Sequence, residues 1–319
     1  MSPDNQTTLV NTSRLIIKKG SKSFAAAARF FSEETREYAY MLYAWCRHCD
    51  DVIDNQELGF NSQPQQAATT QKALAELYAK TRQAIANEPG EDPIFEGLRI
   101  VLERNEIPER YPLELLKGFE MDAEDFQYRN LEDTLEYCYY VAGVVGIMMA
   151  YIMGARDPDS LQRAADLGIA FQLTNISRDV REDANIDRIY LPGDWLAAAG
   201  IPPAEILDPK HSTALVKVIE RLLNEADRYY SSANEGLRAL GFRSAWAVAT
   251  ARVVYRAIGE TVRERGAAAL QDRVIVHKGR KILGVAEGML DATLATLISR
   301  HTEAEPRDNN LWSAPAAPH

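Results

Sequence analysis

The chain has 319 residues, a net charge of −10 and 46% hydrophobic residues, which suffices for one large domain or two small ones with a substantial core. The acidic balance argues against nonspecific binding to nucleic acid, because nucleic-acid phosphates attract basic surfaces. Three cysteines cannot form a disulfide framework, and we interpret Cys46, Cys49 and Cys138 as buried thiols of a cytoplasmic protein, not as a zinc or redox site.

Helical periodicity is found along most of the sequence, and alternating strand patterns are not. Residues 1–13 lack the features of a signal peptide, and we expect them to be flexible. They precede a single all-α domain over 14–301 and a flexible tail over 302–319, with ordered loops at 55–65 and 186–212. The predicted helices cover about 22–31, 33–54, 66–87, 92–105, 111–127, 131–155, 159–185, 212–239, 243–266 and 279–299.

The segment 137–155 is uncharged, and its length is borderline for crossing a bilayer of roughly 30 Å. Gly143, Gly146 and Gly154, together with several tyrosines, lower its mean hydropathy. We predict a central helix that is buried on all sides, in which the glycines allow neighbouring helices to pack closely.

Two acidic clusters lie far apart on otherwise apolar helices. Asp50 and Asp54 are four residues apart, as are Asp179 and Asp183, so each pair shares one helical face. Carboxylates in such places are costly unless a cation meets them, and hard oxygen ligands suit Mg²⁺ or Mn²⁺ better than zinc or copper. The pairs predict a divalent-metal site for a phosphorylated substrate. The alternative for either pair alone is a solvated face with salt bridges.

The second acidic helix carries more polar groups on the same face. At about 100° per residue, Gln172 and Asn175 fall within one arc with the two aspartates, whereas Arg181 points to the opposite side. Ordered polar groups on an apolar helix indicate a site better than a count of charges does.

Cationic groups should offset the charge of such a substrate. Arg47 lies one turn before the first acidic cluster, and Arg178 lies beside the second. The run Ser21, Lys22, Ser23 precedes an alanine-rich helix. The serine hydroxyls and the free backbone amides at the start of this helix could bind phosphate. Each of these signals is weak alone, because arginines often form surface ion pairs and serine is an ordinary helix cap.

These segments together resemble the squalene/phytoene synthase family. The matching runs are 20–24 (Gly-Ser-Lys-Ser-Phe), 42–54, 137–146, 172–183 and 188–192, and their order and spacing match over about 14–295. The resemblance implies an all-α, single-domain isoprenoid-synthase fold, a helical bundle with a central cavity. It also implies a prenyltransferase that condenses two geranylgeranyl diphosphates head to head, through prephytoene diphosphate, to phytoene in carotenoid biosynthesis.

The resemblance also implies residue roles. Metal would be held by Asp50, Asp54, Asn175, Asp179 and Asp183. The diphosphates would contact Ser21, Lys22, Ser23, Tyr43, Arg47, Gln172, Arg178 and Tyr255. The catalytic set would be Asp50, Asp54, Asp179, Asp183 and Tyr137, with Tyr137 facing the reacting centre. The prenyl chains would lie against Phe24, Ala28, Ala142 and Gly146. This sequence departs from some relatives in having Gly20 in place of histidine and Arg181 in place of glycine.

Substrate length is indicated by the small residues 25–28, all alanine, where relatives that use C15 substrates carry bulky aromatics. Small side chains would lengthen the cavity and favour a C20 substrate, although alanines also simply favour helix. The alternative is a C30 dehydrosqualene or squalene synthase that uses farnesyl diphosphate.

No dinucleotide-binding motif is present in the sequence, so no NADPH is expected. A chain-elongating prenyltransferase would carry a second Asp-Asp-x-x-Asp motif, which this sequence lacks. A noncatalytic lipid-binding scaffold of the same fold would have lost acidic residues that remain here. Some bacterial relatives are stimulated by ATP, but no residue in this sequence indicates whether ATP acts here. The hydrophobic product implies transient contact with a membrane surface by a cytoplasmic protein.

Overall fold

The computed structural model describes residues 3–54, 67–298 and 304–315, and the regular structure of this part of the chain is helical throughout. The α-helices are α1 (Pro3–Gly20), α2 (Lys22–Ala27), α3 (Glu33–Asp54), α4 (Ala67–Ile85), α5 (Pro93–Asn105), α6 (Arg110–Ala123), α7 (Leu131–Cys138), α8 (Val144–Ile152), α9 (Pro158–Ala184), α10 (Gly193–Ala198), α11 (Ser212–Glu235), α12 (Phe242–Arg265) and α13 (Lys278–Thr293). Short 3₁₀ turns follow α2, α11 and α12, and two more lie between α10 and α11. The predicted all-α fold class is confirmed.

Proline and capping residues place the helix starts close to the predicted breaks. Asp92 and Asp157 each accept a hydrogen bond from a backbone N–H of the first helical turn, and each is followed by a proline at the first helical position. Asn130 caps α7 in the same way through the N–H of Asp133, at 3.0 Å. Such caps satisfy amides that have no partner within the helix, while proline there costs no hydrogen bond.

The predicted single helix over 131–155 is interrupted. Residues Tyr139–Gly143 form a π-helical turn between α7 and α8, and α8 ends at Ile152. One extra residue in this turn rotates the side chains that follow it, so a uniform helical periodicity does not describe the segment. Hydropathy averages 1.4 in the most apolar window of Leu131–Ile152, the one described helical stretch that could cross a membrane by length and composition. That window is 61% buried inside the fold, as expected for a core helix.

Gly146, as predicted, and Gly168 bring the central helices into backbone contact, whereas an added Cβ on Gly154 would meet nothing within 4 Å. A Cβ atom on Gly146 would lie 2.2 Å from the carbonyl oxygen of Ala164, and one on Gly168 would lie 2.1 Å from that of Ala142. Neither helix could keep its position with a larger residue there. These contacts fix α8 and the preceding π-helical turn against α9, which carries the second acidic cluster.

Both ends of the chain contain residues that pack on the body of the protein, and the predicted flexibility of the termini stays a prediction. Helix α1 begins at Pro3, within the segment 1–13 expected to be flexible, and its residues Leu9, Ser13 and Ile17 are buried. Their spacing of four residues places them on one face, a periodicity that the sequence interpretation overlooked. At the other end, 304–315 pack on the body of the protein, with Leu311 buried. Residues 302–303 and 316–319 of the predicted tail lie outside the described part.

The two predicted loops have different outcomes. The segment 186–212 contains α10 and two 3₁₀ turns, at Pro203–Glu205 and Pro209–His211, so it is more regular than expected. The predicted loop 55–65 lies outside the described residues.

Candidate active site

An apolar cavity of about 310 Å³ runs through the helical bundle. Its wall on α9 extends from Ser160 to Asn175, a distance of about 22 Å at 1.5 Å per residue. Small and apolar side chains from α2, α3, α8, α9 and α12 form most of the surface. The four residues predicted to meet the prenyl chains all line it: Phe24, Ala28, Ala142 and Gly146.

One end of the cavity is polar. Tyr43, Gln172, Asn175 and Tyr255 line it there, and the Asn175 amide donates a hydrogen bond of 3.3 Å to the side-chain oxygen of Gln172. The ring of Tyr43 stacks on Phe24. Burial raises the pKa of the Tyr43 hydroxyl, so that this group remains a neutral hydrogen-bond donor.

The first acidic cluster lies on α3 and begins about two helical turns beyond Tyr43. Arg47 bridges Asp50 and Asp51, with nitrogen–oxygen distances of 2.9 and 2.5 Å. Burial and repulsion from Asp54 raise the pKa of Asp50 to about 7, against the attraction of Arg47, although 38% of the Asp50 side chain is exposed. One arginine therefore does not compensate this group of carboxylates.

The second acidic cluster lies near the end of α9. Asp179 is held between Arg178, whose Nε is 2.7 Å from Oδ1, and Arg273, whose Nε is 2.9 Å from the same oxygen. Burial opposes ionisation, but these hydrogen bonds outweigh it and lower the pKa of Asp179. Asp183, one turn later, forms no ion pair among the described residues. Burial and repulsion from Asp179 raise its pKa to about 8.

Asp122 and Arg188 connect the two clusters. Arg188 pairs with Asp54 at 2.6 Å and also lowers the pKa of Asp183 by its charge. Asp122 accepts hydrogen bonds from the hydroxyls of Tyr137, at 3.0 Å, and Tyr190, at 2.9 Å. Burial raises the pKa of Asp122 to about 6 despite the nearby Arg188. The carboxylates of α3, α6 and α9 thus share one electrostatic environment at the polar end of the cavity.

The sequence of this chain is similar to those of known proteins. A model of the squalene/phytoene synthase family matches residues 17–280. The chain is 45% identical to a 15-cis-phytoene synthase of Pantoea ananas, over 98% of this chain and 99% of that protein. It is 46% identical to a 15-cis-phytoene synthase of Enterobacter agglomerans, over 93% and 99% respectively. The chain belongs to the squalene/phytoene synthase family.

Solved structures of family members have the same fold. A dehydrosqualene synthase bound to a ligand superposes with a TM-score of 0.80 at 29% identity, over 89% of this chain and 96% of that one. A squalene synthase of Alicyclobacillus acidocaldarius superposes with a TM-score of 0.70 at 22% identity, over 83% and 97% respectively, a likeness of fold alone. The predictions of family, fold class, prenyltransferase activity and phytoene synthesis in the carotenoid pathway are confirmed.

The predicted cations are paired with carboxylates in this family member. Arg47 bridges two aspartates of α3, and Arg178 pairs with Asp179. Contact with a diphosphate would require these pairs to open or to be shared. Arg181, as predicted, points away from the site and donates to the carbonyl of Leu270 at the protein surface.

The Ser-Lys-Ser run forms the start of α2. Ser21 is the N-cap, and its hydroxyl accepts a hydrogen bond of 3.3 Å from the N–H of Phe24. The side chains of Lys22 and Ser23 lie outside the described part. A Cβ on Gly20 would lie 2.5 Å from the hydroxyl of Tyr43, so a side chain at position 20 would displace this tyrosine.

Tyr137 lies beneath the acidic clusters and is absent from the described wall of the cavity. Its ring stacks on Tyr190 with 4.7 Å between centroids, and its hydroxyl donates to Asp122. Direct contact of Tyr137 with a reacting centre stays a prediction. Cys49 and Cys138 are buried, as predicted, and burial raises the pKa of both thiols. Cys46 is only partly buried and lines the cavity, where desolvation raises its pKa to about 12.

The donors fit a divalent ion that is completed by substrate. Within 3–54, 67–298 and 304–315, no three acidic, histidine or cysteine side chains form a ready metal cage. Mg²⁺ commonly takes only one or two carboxylates and completes its coordination with water and substrate phosphates. Asp50 and Asp183, whose charges are least compensated, supply the hard oxygen atoms that such an ion prefers.

Sequence interpretation missed Asp122 and Arg273 in the site, and it placed Arg188 and Tyr190 in a matching run without assigning them a role. A signal for Asp122 was available, since it follows Leu115 by seven residues and Phe119 by three on the buried stripe of α6. A carboxylate on a buried face indicates a site by the same reasoning that was applied to α3 and α9. Arg273 reaches Asp179 from 94 residues away, which no local pattern predicts.

Proposed function

We propose that this chain joins two molecules of geranylgeranyl diphosphate to form 15-cis-phytoene, with the diphosphates between the acidic clusters and the prenyl chains in the apolar cavity. The observation that carries the proposal is the continuity of the two regions. Tyr43, Gln172 and Asn175 belong to the cavity wall, while the carboxylates lie within about three further helical turns on the same helices.

The proposed metal is Mg²⁺ or Mn²⁺, held by Asp50, Asp54, Asn175, Asp179 and Asp183. When bound, it would neutralise diphosphate charge and so make the diphosphate a better leaving group. The least compensated carboxylates, Asp50 and Asp183, would gain most from such an ion.

Arg47, Arg178, Tyr43, Gln172 and Tyr255 are proposed to bind and orient the diphosphates, together with the start of α2 at Ser21–Ser23. Each arginine would exchange a carboxylate partner for a phosphate oxygen, which keeps the guanidinium paired throughout. The neutral hydroxyl of Tyr43 would donate a hydrogen bond without adding negative charge beside the phosphate.

The proposed reaction has two ionisations. Loss of diphosphate from one substrate gives an allylic cation, and the double bond of the second substrate attacks it. Loss of a proton then closes the cyclopropane of prephytoene diphosphate. The second diphosphate leaves, the carbon skeleton rearranges, and loss of a second proton yields the central triene. Residues such as Phe24, Val145 and Leu167 exclude water that would otherwise quench these cations.

Tyr137 is proposed to act through Asp122. Its hydroxyl and that of Tyr190 hold this carboxylate beside the two clusters. The network orients Asp122 and, through Arg188, the carboxylate of Asp54.

The test is the mass of the product formed by purified protein with Mg²⁺ and either the C20 or the C15 diphosphate, without nicotinamide. A C40 hydrocarbon from the C20 substrate is the expected result, since the proposed steps need no reductant. A longer linear diphosphate would indicate chain elongation. A C30 hydrocarbon formed preferentially from C15 would indicate a dehydrosqualene synthase, and no turnover would favour a noncatalytic scaffold.

We infer that the protein works in the cytoplasm, at the surface of a membrane. On α13 and the π-helical turn after it, exposed apolar residues recur at helical spacing: Ile282, Leu283, Leu290, Leu294 and Leu297, which we call the α13 apolar row. Arg280 and Lys281 directly precede its first residue, but Arg280 is paired with Glu287 at 3.0 Å, so the apolar row and not a basic patch carries the proposed binding. A C40 hydrocarbon leaving the cavity needs an apolar phase, which a bilayer supplies.

Sedimentation with vesicles of phosphatidylcholine and phosphatidylglycerol tests this localisation. The double variant Leu290→Ser/Leu294→Ser should lower the membrane partition constant on the order of 10²-fold or more, because two leucines buried in the bilayer contribute about 3–6 kcal/mol to transfer from water. Leu15→Ser is the control, since Leu15 is an exposed leucine of α1. Equal binding of both variants and of the wild type would remove the α13 apolar row from the proposal.

A further inference from the structure

The far end of the cavity contains a buried arginine that the proposed reaction does not use. Arg163 lines the cavity, lies sixteen residues before Asp179 on α9, and is only 3% exposed. Its position is therefore about 24 Å from the second acidic cluster along the helix. A charged group at this depth needs partners, and those partners identify what closes this end.

All three nitrogen groups of Arg163 bind atoms outside the apolar lining. Nε donates to the carboxylate of Asp159 at 2.8 Å, Nη1 to the carbonyl of Ser232 at 3.1 Å, and Nη2 to the carbonyl of Glu305 at 2.5 Å. The guanidinium is thus directed to polar partners, and the aliphatic stem is left to face the cavity. Gly236 packs against this stem, where an added Cβ would lie 3.0 Å from the Cβ of Arg163.

Glu305 belongs to residues 304–315, which we call the C-terminal strap. The strap is anchored by Arg307, which forms two hydrogen bonds of 2.8 Å to Asp166, a residue with no exposed surface. The same arginine binds the carbonyl of Trp312 at 2.7 Å, and the N–H of Trp312 donates to the hydroxyl of Tyr229 at 3.0 Å. The strap is therefore fixed to α9 and α11 by a buried network, not by surface contacts alone.

We propose that the C-terminal strap sets the maximum length of prenyl chain that the enzyme accepts, by holding Arg163 across the far end of the cavity. Arg163 forms the boundary, and Arg307 is a positioning residue that acts through the strap. Release of the strap removes the Glu305 carbonyl and leaves Arg163 bound to Asp159 and Ser232. Because the Asp159 side chain is 58% exposed, the guanidinium can then follow it toward solvent and lengthen the cavity. The inference rests on the proposed use of prenyl diphosphates.

The strap-release variant is the double change Asp166→Asn/Arg307→Met. Removing both charges avoids an unpaired buried ion, and the amide oxygen introduced by Asp166→Asn can still accept the hydrogen bond of 2.6 Å from Ser232. The matched control is Asp308→Asn in the same strap, which weakens the exposed ion pair with Arg228 and keeps an amide oxygen that can accept the two hydrogen bonds from Asn310. If the double variant does not fold, Trp312→Ala loosens the strap by removing its packing on Tyr139.

The readout is the ratio of kcat/KM for the C25 diphosphate to kcat/KM for the C20 diphosphate, together with hydrogen exchange of residues 304–315. Strap release should raise this ratio about tenfold, a typical value for a change in pocket size, while Asp308→Asn leaves it unchanged. Arg163→Ala should raise it in the same direction. A general loss of stability would lower turnover of both substrates and would not change the ratio.

Three outcomes would overturn the inference. The first is slow exchange in the strap of the release variant, because the Asp166 pair would then not anchor it. The second is fast exchange with an unchanged ratio. The third is a raised ratio in Arg163→Ala alone, since the strap would then not control Arg163. Failure of the proposed function is a separate result, seen as no C40 hydrocarbon from the wild-type enzyme and C20 substrate.

Discussion

The two ends of the cavity differ in whether their buried carboxylates are paired with cations. At the far end, Asp166 receives two hydrogen bonds from Arg307 and one from Ser232, so its charge is fully matched within the fold. At the polar end, Asp183 lies between other carboxylates, and its pKa rises to about 8. A matched charge joins parts of a fold, whereas an unmatched charge costs stability and needs a purpose outside the fold. Binding a cationic ligand is such a purpose.

The largest expected effect is loss of activity at the polar end. Asp183→Asn and Asp50→Asn should each lower kcat/KM for the C20 diphosphate on the order of 10²–10³-fold, because each removes a hard oxygen ligand from the proposed metal site. Steady-state assays across a range of Mg²⁺ concentrations measure the effect.

Glu182→Gln is the matched control for these variants. Glu182 is a neighbour of Asp183 on α9 but is exposed to solvent. This change removes the same charge without removing a proposed ligand. Equal losses in Glu182→Gln and Asp183→Asn would mean that net charge matters here and that the carboxylates of α9 do not form a defined site.

At the far end of the cavity, removal of a carboxylate should instead lower the stability of the protein. Asp166→Ala leaves Arg307 buried without its carboxylate, which typically lowers the free energy of unfolding by about 3–5 kcal/mol. Urea denaturation followed by circular dichroism measures this loss. Asp308→Asn, which affects an exposed pair, should cost at most about 1 kcal/mol. If Asp166→Ala lowered the free energy of unfolding by no more than about 1 kcal/mol, the ion pair between Asp166 and Arg307 would not hold the far end together.

The middle of the cavity connects the two ends through its volume. Ala28 is buried in the cavity wall, and Ala28→Phe should shift the preference from C20 toward C15 diphosphate about tenfold, because the added ring fills space for the longer chain. Competition between the two substrates, with products resolved by mass, measures the ratio. Ala26→Phe is the control, since Ala26 is exposed on the same segment. An unchanged ratio in Ala28→Phe would show that residues 25–28 do not set chain length.

Local patterns in the sequence predicted the polar end of the cavity better than the far end. The pairs Asp50/Asp54 and Asp179/Asp183 were visible because residues four apart share a helical face. The far end depends on Arg307 and Asp166, which are 141 residues apart, and no local pattern connects them. The tail 302–319, which contains the C-terminal strap, was predicted to be flexible from its alanine, proline and charged residues, and its composition gives no sign of the pairing with Asp166.

The π-helical turn at Tyr139–Gly143 shows another limit of such patterns. Its residues have the composition of an ordinary apolar helix, and the extra residue follows from packing against α6 and α9. A Cβ on Gly118 of α6 would lie 2.5 Å from the side chain of Val141 in this turn. Helical periodicity predicts that a helix exists, while contacts from distant helices decide its local geometry.

The last prediction is a gain in stability for Asp183→Asn at the polar end. Its sign is opposite to the loss expected for Asp166→Ala at the far end. The raised pKa of Asp183 means that its ionised form is disfavoured in the folded protein relative to the unfolded chain, where the pKa is about 3.9. The cost is full above pH 8 and shrinks as the pH falls toward 4. Asp183→Asn removes the charge but leaves a buried polar amide that offsets part of the gain, so in EDTA at pH 9 the variant should melt a few degrees higher than the wild type, and the difference should shrink at pH 5. Asp166→Ala should lower the melting temperature at both pH values. A lower melting temperature for Asp183→Asn at pH 9 would mean that Asp183 is matched within the fold, as Asp166 is, and that its charge is not held available for a ligand.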